Sequence, residues 1–105
     1  MEVKVIYNGV IAGYLKKENG KYFFQYDKSY LSTEYPAISL SFPKRSEEFI
    51  SEILFPFFFG LLAEGDNKTI QCRNLKIDEN DHFTRLAKTA NENTIGAITI
   101  EEAEV

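Results

Sequence analysis

Two Asn-Gly pairs, Asn8-Gly9 and Asn19-Gly20, cut the start of the chain into three runs that each suit an extended backbone. Asn-Gly is the pair that a two-residue hairpin loop favours, because both central positions of that turn need positive φ. "VKVIYN" sets Val3, Val5 and Tyr7 against Lys4, Ile6 and Asn8, and "VIAGYLKKE" returns beside it. "KYFFQYD" then places Tyr22, Phe24 and Tyr26 on one face. Period-2 alternation between tight turns predicts a meander of three antiparallel strands.

Downstream the pattern changes twice. "KSYLSTEYP" reads as a connection with room for a helical turn, and "AISLSF" predicts a strand near 37–42 with Ile38, Leu40 and Phe42 inward. From Ser46 the spacing turns helical: Ser46 suits an N-cap, Glu47 and Glu48 suit the first turn, and Phe49, Ile50, Ile53 and Leu54 share a face. Pro56 is expected to end or kink that helix. A second short piece is expected at Phe57 to Ala63, closing at Gly65. Asp66 is placed as the cap of a helix holding Ile70, Arg73 and Leu75. Asp78 is placed as the cap of the next, striped by Phe83, Leu86, Ala87 and Ala90. "GAITI" predicts a closing strand near 96–100, and "EEAEV" a frayed acidic tail. The expected class is α+β: one domain over residues 1–105, its antiparallel sheet packed with several short helices between about 46 and 90.

Charge and chemistry exclude more than they assign. Residues 1–59 hold seven Lys/Arg against seven Asp/Glu, and residues 60–105 hold five against nine. Nucleic-acid binding needs clustered positive charge to displace counterions, and this chain lacks it. Cys72 is a lone cysteine, which points to a reducing cytoplasm. The start of the chain has no basic stretch followed by an apolar core, as a signal peptide would. His82 is the single histidine and reads as a surface residue near a helix start, and Cys72 as a buried thiol. The acidic pairs at 47–48 and 78–81 sit at expected helix starts, where capping accounts for them. "NKT" at 67–69 matches a glycosylation sequon by chance, and no glycine-rich phosphate loop is present. Catalytic residues, metal ligands and a cofactor site are therefore not expected.

The most telling run is "ILFPFFFGLLAEG", residues 53–65. It reaches about half the ~20 apolar residues that a bilayer crossing requires, and Pro56 interrupts it. On a helix, Phe55, Phe58, Phe59 and Leu62 share one face while Leu54, Phe57 and Leu61 project from another. A helix apolar all round is covered on all sides. Either neighbouring helices cover the second face, or part of it is presented to a partner.

In order and spacing, "NGVIAGYL", "FQYDKSYL", "AISLSFPKR", "FPFFFGLLAEG" and "GAITI" resemble the amino-terminal subdomain of the HipA family. HipA-like proteins are serine/threonine kinase toxins of bacterial toxin–antitoxin systems. The chain departs from the family pattern in having Ala63 where the family has proline, and in "NENTI" where a Gly-Arg-Asp type stretch is usual. The family's kinases run on for several hundred residues into the lobes that bind ATP, and this chain stops where those would begin. The resemblance therefore implies a detached first subdomain, similar to HipS of HipBST-type systems. In those systems the small protein neutralises a separate HipT kinase and a HipB-like protein binds the DNA. It implies an antitoxin that is not an enzyme, with a HipA/HipT-like kinase as partner and neither membrane nor direct nucleic-acid contact. A split subunit that supports the kinase, or an amino-terminal piece of a longer protein, are the alternatives. Phe57, Phe58, Leu61 and Leu62 are the expected partner contacts, with Glu64 as a rim or capping acid, while Phe55 and Phe59 are assigned to the core.

Overall fold

A computed structural model describes residues 2–62, 65–89 and 97–103. The meander is present as β1 (Glu2–Tyr7), β2 (Val10–Glu18) and β3 (Lys21–Tyr26). Both turns adopt the geometry that the sequence demands: φ is 46° and 84° at Asn8 and Gly9, and 52° and 77° at Asn19 and Gly20. Two further strands complete an antiparallel five-stranded sheet, β4 (Phe49–Ser51) beside β3 and β5 (Ile98–Glu102) beside β1, in the order β4-β3-β2-β1-β5. The helices are α1 (Lys28–Leu31), α2 (Pro56–Phe59), α3 (Gly65–Leu75) and α4 (His82–Thr89). The expected α+β class, with an antiparallel sheet and short helices, is the one observed.

A bulge sets up the first helix. The β1–β2 register slips between Val5 and Ile6, so that Val5 faces Gly13 and Ile6 faces Ile11. Ala12 is left opposite no residue, and its carbonyl accepts from Asp27 N at 2.8 Å. Asp27 in turn caps α1, its Oδ2 accepting from Ser29 N at 2.9 Å and Tyr30 N at 3.3 Å.

One face of the sheet is the floor of the core. Val3, Val5, Leu15, Phe24 and Ile100 are wholly buried there, and Tyr22, Tyr26 and Ile98 nearly so. Phe24 is the hub: its ring lies 4.9 Å from Phe42, 5.1 Å from Tyr26 and 5.6 Å from Phe58. Such offset and edge-on pairs add to the burial of the rings themselves. Tyr22 meets Phe83 of α4 at 6.3 Å, and Tyr26 stacks on Tyr30 of α1 at 6.0 Å.

Five expectations are corrected. The segment 37–42 is a tight turn instead of a strand: Ser39 bridges Phe42, and Phe42 N donates to Ser39 O at 3.0 Å. Ser41 N also donates to Ser39 Oγ at 3.2 Å, which closes the turn locally. Ile38 and Phe42 are buried as expected, while Leu40 is thrown fully outward.

The helix expected from Ser46 is replaced by a loop and β4. Extended backbone pairs Phe49 with Phe24 and Ile50 with Phe23, which brings the Phe49 ring 4.9 Å from Phe42. Arg45 lies over that ring at 3.7 Å and binds the carbonyls of Glu47 and Glu48, and the Ser46 carbonyl accepts from Gln25 Nε2 at 3.0 Å. Ser46 thus caps nothing.

Further along, Asp66 lies inside α3, which begins at Gly65. The cap of α4 is Asp81 and not Asp78: Asp81 Oδ1 accepts from Thr84 N at 3.2 Å, and Asp78 Oδ1 closes a turn onto Asn80 N at 2.8 Å. Lastly, Glu101 and Glu102 are in β5, paired with Lys4 and Val3, and Glu102 meets Lys88 of α4 at 2.6 Å. The first residue of "GAITI", Gly96, lies outside the described residues.

Candidate partner interface

Pro56 begins a helix where it was expected to stop one. It occupies the first position of α2, where its missing N–H is no loss and its fixed φ is already helical. Phe59 N donates to Phe55 O at 3.0 Å and Gly60 N to Pro56 O at 2.9 Å. The chain then tightens to bonds that reach back three residues, Leu61 N to Phe58 O and Leu62 N to Phe59 O, both at 3.1 Å. Starting the helix at 56 and tightening it after 60 fixes which side chains point inward.

Inward means Leu54, Phe55, Phe58 and Leu62, all buried, with Phe58 at 0% exposure. Phe58 packs 5.5 Å from Phe42 and 5.2 Å from Phe57. Of the expected partner contacts, then, Phe58 and Leu62 belong to the core of the free domain. Phe57 and Leu61 are half-buried and form its rim. Phe59, assigned to the core from sequence, is 41% exposed. Glu64 lies outside the described residues. From α2 to Leu62, the apolar surface offered is Phe57, Phe59 and Leu61.

His82 frames one side of it. Its ring stands edge-on to Phe59 at 5.1 Å, and its Nδ1 lies 3.2 Å from Arg85 Nη1. Arg85 is 3% exposed and also donates to Glu79 O at 3.4 Å. Burial lowers the His82 pKa below the ordinary 6.5, and the Arg85 guanidinium lowers it further. A neutral ring with a bare Nδ1 is the form that can accept from Arg85. In that form the ring is an acceptor packed on an aromatic edge.

Cys72 is buried in α3. Among the described residues, no group of three or more His, Cys, Asp or Glu side chains could hold a metal ion, and no helix is long and apolar enough to cross a membrane. A mixed-charge recess of about 300 Å³ opens beside Tyr14, Lys16, Phe23 and Asp27. Tyr14 is tied there to Asp27 at 3.4 Å, and burial followed by the nearby Asp27 charge raises its pKa above 10.0.

Sequence reasoning missed the most exposed apolar residues. Leu40 is 103% exposed, and Ile53 and Ile50 are 68% and 60% exposed. Leu40 is expected inward on a strand, and Ile50 and Ile53 on the apolar face of a helix, and neither element forms. The Ser-Leu-Ser sequence was the available signal for Leu40, since serines favour local hydrogen bonds that break up a strand.

Comparison with known proteins gives a consistent result. A protein of Haemophilus influenzae, itself uncharacterized, is 35% identical over 99 residues, which cover 94% of this chain and 90% of that one. A solved structure described as the N-terminal domain of HipA toxin superposes with a TM-score of 0.68 at 29% identity, covering 98% of this chain and 94% of that one. The HipA N-terminal domain family matches residues 3–101, so an antiparallel sheet floored with aromatics and closed by a proline-initiated phenylalanine helix is here a HipA N-terminal domain, and the chain belongs to that family.

Proposed function

We propose that this chain is a non-enzymatic antitoxin that binds a separate HipA-like serine/threonine kinase in the bacterial cytoplasm and inhibits it. One observation carries the reading: the domain that accounts for residues 3–101 is the HipA N-terminal domain. The Haemophilus relative supports it, because the alignment takes up 90% of that protein and leaves no room in it for kinase lobes.

A domain fused to its kinase meets it at high effective concentration, and a free one does not. A free binder therefore depends on anchors of its own, and aromatic side chains are the usual ones. Phe57, Phe59 and Leu61 have the chemistry for this: Phe57 and Leu61 pack on the buried core, and Phe59 on the ring of His82.

The test is to mix the purified chain with a HipA-family kinase that lacks its own copy of this domain. A stable complex and suppressed phosphorylation are expected. Separate elution at micromolar concentration would sink the reading. Phosphorylation that rises on mixing would replace the inhibitor with a split subunit that supports activity. A HipB-like DNA-binding protein is the expected third member of the assembly.

A further inference from the structure

The three residues of the apolar surface at α2 are not held alike. Phe57 stands 5.2 Å from Phe58 and 6.1 Å from Phe42, and Leu61 packs on the same core. Phe59 is 41% exposed, and among the described residues the one ring it meets is that of His82, edge-on at 5.1 Å. His82 is in turn held by Arg85, whose Nη1 lies 3.2 Å from Nδ1. Arg85 is itself fixed, buried in α4 and donating to Glu79 O. A buried guanidinium thus sets the histidine, and the histidine sets the most exposed ring of the surface.

This arrangement holds in one protonation state. A guanidinium has donors only and keeps its proton in proteins, so the contact with Arg85 is a hydrogen bond only while Nδ1 is bare. A proton on Nδ1 sets two donors and two positive charges face to face. The surroundings offset little of that. Burial disfavours the imidazolium first, then Arg85 of α4 and Lys68 of α3; Asp81 of α4 favours it, and Lys17 of β2 disfavours it again. From α2 the neighbour is Phe59, which has no charge. Both oxygens of Asp81 are already engaged by Thr84, Oδ1 by its N–H at 3.2 Å and Oδ2 by its hydroxyl at 2.8 Å. An imidazolium is therefore driven out of the place that the neutral ring occupies.

We infer that His82 is a pH latch on the apolar surface at α2: a second ring proton breaks its bond to Arg85, the ring leaves that site, and Phe59 loses the support that holds it. The consequence for docking rests on the reading that a HipA-family kinase binds at this surface. Two measurements keep the parts separate. In the free chain, NMR signals of the His82 and Phe59 rings are followed from about pH 7.5 to about pH 4.5, which spans a lowered histidine. Phe59 should move with the His82 midpoint and stay still in His82→Gln, while Phe57 stays still in both. Lys68→Gln should raise the midpoint towards 6.5. Phe59 signals that ignore the His82 titration, or that move equally in His82→Gln, would overturn the latch. Kinase affinity is then measured over the same range for the natural chain and His82→Gln. Acidification should weaken the natural chain by up to about ten-fold per pH unit more than the variant, the limit for one linked proton. Equal slopes beside a moving Phe59 would confine the latch to the free chain and overturn its consequence for docking. Absence of kinase binding at every pH would sink the proposed function, with the latch itself decided by the NMR titration.

Discussion

Helices α3 and α4 invert the usual relation between length and anchorage. The longer one, α3, has eleven residues, yet Cys72 is the buried one among its described side chains, and Ile70 and Leu75 are about half exposed. The shorter one, α4, has eight and buries Phe83, Arg85, Leu86 and Ala87. Composition explains the difference. "HFTRLAKT" concentrates its apolar residues on one stripe, whereas "GDNKTIQCRNL" scatters three around the cylinder. Most helix stability in proteins comes from such a packed stripe, so α4 is part of the frame and α3 is anchored more weakly. Its C-terminus closes with Ile77 N reaching back to Cys72 O at 2.9 Å around Lys76 at a φ of 57°.

The contrast can be broken or sharpened by measurement. The largest effect is expected at Leu86, which is wholly buried: Leu86→Ala should cost about 2–5 kcal/mol in denaturant unfolding. A loss under 1 kcal/mol would mean that α4 is not the anchor its burial implies.

A smaller effect should appear with pH. His82 has a folded pKa below its ordinary 6.5, because burial and then Arg85 disfavour the imidazolium. The unfolded chain therefore holds more protons between those two values, and stability rises with pH across them. The contribution is complete above about pH 6.5 and is lost as pH falls through the lowered value. Unfolding midpoints measured across this range should show that slope, and His82→Gln should flatten it; an unchanged slope would place its origin elsewhere.

The smallest effect belongs to α3. Ile70→Ala should shift stability by less than about 0.5 kcal/mol, and the amides of α3 should exchange with solvent ahead of those in α4. Protection of α3 equal to that of α4 would erase the distinction.

The sheet was legible from sequence because its signals are local. Asn8-Gly9 and Asn19-Gly20 specify their turns, and alternation through Phe24 specifies the buried face. The middle of the chain was less legible because its signals are tertiary. Phe49 and Ile50 satisfy a helical spacing as well as a strand, and the choice is made by the Phe24 and Phe42 rings awaiting Phe49. The same holds for the site. Helical spacing puts Phe58 and Phe59 on one face, and only the fold separates the fully buried Phe58 from Phe59, which is 41% exposed. Hydrophobicity alone located the segment, and the phase had to come from the fold.

The 39–42 turn has a practical consequence. Tyr26 grips Phe42 and Ile38 through main-chain atoms, so the frame does not read the identity of the residues at the tip. Randomised loops could be grafted between those two fixed points and displayed for selection, which would turn the domain into a small scaffold for engineered binders.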